Sequence, residues 1–141
     1  MLKEQFQDIL AEFGQRVKQE ISLDQENTAT LMLDGEVLVN FQYLEESERI
    51  LAFAPVGRLD LATDPAGGEK ALELLRLNEL GGKSRGFTLA YDEEAELVLA
   101  MDCRYAMEIS SADALASWLE QLCGVVSMVR VRFEERFPEE V

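Results

Sequence analysis

The stretch TATLMLDGEVLVNFQYL, residues 28–44, constrains the fold more than any other part of the chain. Asp34 and Gly35 tolerate positive φ, and they separate two runs that read as strands. In the second run Val37, Val39, Phe41 and Tyr43 alternate with Leu38, Asn40 and Gln42. That period of two marks strands, and a two-residue reversal between strands makes them antiparallel neighbours. The acidic segment Glu45–Glu48 marks the next turn, and RILAFAPV, residues 49–56, supplies a third strand. Pro55 donates no ladder hydrogen bond, which places it at the end of that strand or on a sheet edge.

Helical periodicity flanks this meander. Leu2, Phe6, Ile9, Leu10, Phe13 and Val17 form one stripe along residues 2–19, with polar residues opposite and Gly14 as a weak point. Residues 57–68 hold three glycines and Pro65 and read as a loop. ALELLRLNEL, residues 71–80, forms a second helix, which Gly81-Gly82 ends as a glycine cap. GFTLAY and ELVLAMDCRY make a second hairpin around Asp92–Ala95. A last helix starts near Ser110 or Ser111, where Ser110 and Asp113 approximate a capping box. Leu115, Trp118, Leu119, Leu122, Val126, Val129 and Phe133 carry its stripe to about residue 136. The expected fold is α+β: a five-stranded, mostly antiparallel sheet with three helices, in the order α-β-β-β-α-β-β-α. Residues 1–141 form one domain, which the length permits.

Charge narrows the function. Thirteen Lys and Arg against 28 Asp and Glu give −15 and a pI near 4.3. Phosphate backbones and anionic lipid attract positive surfaces, so neither nucleic acid nor a membrane is an expected partner. The N-terminus has no apolar signal-peptide core, and no apolar run approaches the ~18 residues of a membrane span. Cys103 and Cys123 are far apart within apolar patterns and read as structural thiols of a reducing cytosol. A cytoplasmic protein is expected.

Catalytic signatures are missing from the sequence. Without histidine there is no Ser-His or Cys-His nucleophile pair, and two distant cysteines make a poor zinc site. Gly82-Lys83-Ser84 matches the end of a phosphate-binding loop, but Leu77 stands where its first glycine belongs. A helix precedes that segment and a strand follows, the reverse of the phosphate-loop order. The clusters Glu45, Glu46, Glu48 and Asp92, Glu93, Glu94 lack the spacing of a calcium loop and read as solvated turns. No enzyme and no cofactor are expected.

The element order, size and acidity resemble the class I type III secretion chaperones of Gram-negative bacteria. LLRLNEL, then GFTLAYDEEAELVLAM, then ISSADALASWLEQLCGVV carry the likeness between residues 69 and 126, and the first 56 residues agree in pattern. The resemblance implies an acidic cytosolic homodimer that binds the unfolded N-terminal segment of a secreted effector and keeps it export-competent. A regulatory or inhibitory binding protein, anti-activator or antitoxin-like, is the alternative.

Two surfaces follow as expectations. The effector segment needs apolar grooves and a sheet edge. Phe6, Ile9, Leu10 and Phe13 on the first helix, with Leu31, Leu33, Leu38, Phe41 and Phe53 in the meander, are the candidates. Leu38 and Phe41 face opposite sides of one strand, so only part of that set reaches an effector. For the homodimer, Leu72, Leu74, Leu75 and Leu77 spread over more of a helix than its own sheet covers. The expected interface joins that helix, or the strand with Phe87 and Leu89, to a second copy across a twofold axis.

Overall fold

The computed structural model describes residues 2–78 and 84–138. Its elements are α1 (Leu2–Val17), β1 (Thr28–Leu33), β2 (Val37–Leu44), β3 (Arg49–Arg58), α2 (Gly67–Leu77), β4 (Thr88–Asp92), β5 (Leu97–Tyr105) and α3 (Ala112–Arg136). A short 3-10 turn, Ala106–Glu108, leads into α3. This is the element order expected from the sequence. The strands form one sheet in the order β1-β2-β3-β5-β4, with every pairing antiparallel.

Local chemistry explains where the boundaries differ. Asp34 and Gly35 have φ of 53° and 68°, but Leu33 pairs with Val37. Glu36 is therefore a third connecting residue, and its carbonyl accepts from the Arg130 guanidinium at 3.1 Å. Pro55 lies in the central strand, opposite Leu99. It is tolerated there because pairing with β2 ends at Phe53 and the register with β5 shifts between Pro55 and Gly57. The second helix begins at Gly67, inside the segment expected to be loop. Its expected glycine cap at Gly81-Gly82 lies outside the described residues. The cap of α3 is Ser111, whose hydroxyl accepts from Ala114 N–H at 3.0 Å.

Alternation then builds the core. Leu31, Val39, Phe41, Ile50, Ala52 and Ala100 all lie on one sheet face and are 2% exposed or less. The α1 stripe and α3 cover this face. The Phe41 ring meets Phe6 of α1 at 5.9 Å between centroids and Trp118 of α3 at 6.4 Å. Each such side chain contributes roughly 1.5–3 kcal/mol by burial. Trp118 also donates its indole N–H to Asp102 of β5 at 2.9 Å, so its one polar atom is satisfied.

By length and composition α3 could cross a membrane, contrary to the sequence-based expectation. Its Leu115, Trp118, Leu119, Leu122, Val126 and Val129 are buried in the core, so the apolar stripe is spent on the sheet. Gly14 has a specific task. Gln19 N–H bonds Gly14 O at 2.9 Å as the chain leaves α1. A Cβ at position 14 would collide with the Gln19 carbonyl oxygen.

Candidate functional site

The second face of the sheet is formed by the alternate strand residues. Met32 and Leu38 are 40% and 37% exposed there, and Leu51, Phe53, Leu99 and Met101 are half-buried. Met32 pairs with Leu38, and Phe53 pairs with Met101. Leu38 is diagonal to Phe53 through the Asn40–Phe53 pair, which continues the apolar path across the sheet. Arg49, Arg58 and Asp92 are the charged strand residues on this face, Arg49 near one end of it and Arg58 and Asp92, both opposite Leu97, at the other. In a chain with 29% charged residues, so large an uncharged surface is a departure. Both α1 and α3 lie on the other side. α2 joins α3's side, where its buried Glu73 faces Arg136, Arg76 and Arg132 at 3.3, 3.5 and 3.9 Å.

The two sheet edges are closed by side-chain amides. Gln19 donates to Met32 O at 2.6 Å and accepts from Met32 N–H at 3.0 Å, on the outer edge of β1. Asn78 makes the same pair with Leu89 on the outer edge of β4, at 2.8 and 2.7 Å. Asp24 covers Thr28: its carboxylate accepts from Thr28 N–H at 3.0 Å and its own N–H donates to Thr28 O at 2.9 Å. The hydrogen bonds that this carboxylate accepts from the Thr28 N–H and hydroxyl hold it below the usual carboxylate range.

The expected effector-binding residues separate sharply. Phe6, Ile9, Leu10, Phe13, Leu31 and Phe41 are buried in the chain's own core. Leu33 and Phe53 are half-buried, and Leu38 is exposed. Of the expected dimer residues, Leu72 and Leu75 are 46% and 69% exposed, whereas Leu74, Leu77, Phe87 and Leu89 are buried. Sequence reasoning passed over Met32, Leu51, Leu99 and Met101, although the complement of the core alternation marks them. It also missed the amides of Gln19 and Asn78, which no periodicity signals.

Little here resembles a reaction centre. The Tyr43 hydroxyl is buried without a hydrogen-bond partner among the described residues, and burial, with Glu48 and Glu45 nearby, pushes its pKa up. That favours the neutral phenol. Cys103 is exposed on the open face instead of buried in a core, and Cys123 is half-buried with its thiol pKa raised by burial.

The model of the Tir chaperone protein (CesT) family matches residues 8–130. The chain belongs to that family. No curated protein matches the chain by sequence. Solved structures share the fold. A chain of the ExsC-ExsE complex superposes with a TM-score of 0.76 at 22% identity, covering 92% of this chain and 93% of that one. A chain of the HopA1-SchA chaperone-effector complex gives 0.71 at 17% identity, with 92% and 95% covered. The Yersinia pestis type III secretion chaperone SycH, in complex with a fragment of YscM2, provides a third at 0.65 and 21% identity, with 88% and 98% covered. At these identities the likeness establishes the architecture. Membership of the CesT family comes from the sequence model alone.

Proposed function

We propose that the chain is a cytosolic, non-enzymatic secretion chaperone that holds an unfolded N-terminal segment of a type III secreted effector, as a homodimer and without a cofactor. The open apolar sheet face carries this reading. An unfolded segment brings apolar side chains with no core of their own, and the path Met32–Leu38–Phe53–Met101 offers them a matching surface. Family membership and the named complexes of like fold support the same reading. The net charge of −15 keeps such a surface soluble and repels other acidic proteins.

This places the effector contact on a different face from most of the α1 stripe. Leu38→Asp and Phe53→Asp, made separately, are expected to weaken effector binding at least tenfold, roughly the worth of one interface anchor. Their melting temperatures should stay within a few degrees of wild type. Phe6→Asp buries a charge and should unfold the protein. The assay is protease protection of the effector's N-terminal segment, using the effector that co-purifies from the native host. Undiminished protection with both surface variants would place the site elsewhere. Failure of any secreted protein to co-purify counts against the chaperone reading itself.

The homodimer uses the exposed Leu72 and Leu75 of α2. Sedimentation equilibrium at micromolar concentration should give about twice the 15.9 kDa chain mass, and Leu75→Asp should return it to one. A wild-type mass near that of one chain defeats the dimer.

A further inference from the structure

The arginines around Glu73 outnumber the charge they surround. Glu73 of α2 is 3% exposed, and Arg136, Arg76 and Arg132 approach its carboxylate at 3.3, 3.5 and 3.9 Å. Three of the chain's 13 Lys and Arg thus converge on one anion, in a protein whose net charge is −15. Glu73 Oε2 has no hydrogen-bond partner among the described residues, so Arg136 and Arg76 stand at ion-pair distance from it without bonding it. Two guanidiniums repel each other, and a buried carboxylate behind them is what holds them close. One carboxylate against three guanidiniums still leaves two positive charges over.

Arg76 and Arg136 reach the cluster from different helices, at the last turns of α2 and α3. Their side chains are 59% and 50% exposed, and both line an open cleft of about 350 Å³ with Glu69, Leu72, Glu73 and Phe137. A guanidinium presents five N–H donors in a planar fork that matches an oxyanion. We propose that this cleft binds a phosphate group between Arg76 and Arg136, with Glu73 as the buried post that positions both. A dianion matches the two surplus charges, which a monocarboxylate would only half offset. Glu69 also lines the cleft, but it is exposed to water and its field is screened. Leu72 and Phe137 supply apolar walls, which strengthen the attraction by excluding water on their side. A phosphate held there ties α2 to the end of α3. The cleft lies on the helix side of the sheet, away from the open apolar face, so the site stands apart from effector binding. Leu72 places it beside the proposed homodimer surface.

The test is isothermal titration calorimetry on the full-length chain at one fixed ionic strength, with orthophosphate, methyl phosphate and acetate as probes. Orthophosphate should bind the wild type at least about tenfold tighter than acetate, the size of one added charge-assisted hydrogen bond. Arg76→Gln and Arg136→Gln should each weaken orthophosphate binding by about tenfold for the same reason. Lys18→Gln removes an equal charge at an exposed position outside the cleft and should leave binding unchanged. Thermal melts give a second readout. Orthophosphate should raise the Tm of the wild type and of Lys18→Gln, because it binds the folded chain, and should leave that of Arg136→Gln unmoved. Methyl phosphate separates the sources: binding as tight as that of orthophosphate assigns the site to phosphate carried on another molecule, and weaker binding assigns it to the free ion. The site is refuted if acetate binds as tightly as orthophosphate, if no phosphate probe binds saturably, or if all three glutamine variants weaken orthophosphate equally. The comparison of probes on the wild type decides the matter even where a variant fails to fold.

Discussion

Replacing Asn78 and Gln19 by alanine deletes the same pair of hydrogen bonds in two different settings, and the expected costs differ. At Asn78 the lost bonds, 2.8 and 2.7 Å long, satisfy the Leu89 N–H and C=O in a partly buried junction. Each intramolecular bond contributes about 1 kcal/mol net, and a backbone group left dry costs about 1–3 kcal/mol. Asn78→Ala should therefore lower stability by about 2–3 kcal/mol. At Gln19 the freed Met32 groups are exposed and rebind water, so the loss should stay below about 1 kcal/mol. At about 2.1 cal/mol/K per residue, the unfolding entropy is about 0.3 kcal/mol/K for 141 residues. The Tm should fall by about 7–10 °C for Asn78→Ala and by no more than about 3 °C for Gln19→Ala. Far-UV circular dichroism melts at one fixed protein concentration make the comparison, because dimerisation would otherwise shift both values. Asn78→Asp keeps the acceptor for Leu89 N–H and should fall between. Equal shifts for the two alanine variants would refute the argument from burial.

Three further outcomes are expected. Arg130→Met removes one guanidinium that bonds Val56 O, Glu36 O and Pro55 O at 2.8, 3.1 and 3.4 Å, and urea unfolding should show a loss of about 2–3 kcal/mol. Gly14→Ala should destabilise by about 1–3 kcal/mol despite alanine's advantage of about 1 kcal/mol in a helix. Its Cβ would meet a backbone oxygen that has no rotamer with which to yield. For Asp24, a folded pKa below its ordinary 3.8 means a stabilising contribution that is fully present above that value. It disappears as the pH falls through the lower folded pKa, and hydrogen exchange at Thr28 N–H, measured as a protection factor, should show the opening in that acid range. Asp24→Asn should remove the pH dependence.

The strand order along the chain, the antiparallel hairpins and the identity of the core stripe were legible in the sequence because each follows from short-range periodicity. A period of two around Asp34-Gly35 admits few structures, and the 3.6-residue spacing of Phe6, Ile9, Leu10 and Phe13 marks one helical face. Periodicity also named both faces of the sheet, but it carries no sign that says which one the helices cover. Tertiary packing decided that. With α1 and α3 on the face of Val39 and Phe41, those side chains became core, and Leu38 and Phe53 were left on the uncovered side. The same holds for Pro55, whose place in a central strand depends on where β2 stops pairing, a contact between distant segments. Gln19 and Asn78 lie 13 and 11 residues from the backbone groups they satisfy. Such bonds depend on distances across the fold, set only once loops close and helices dock, so no local pattern in the chain encodes them.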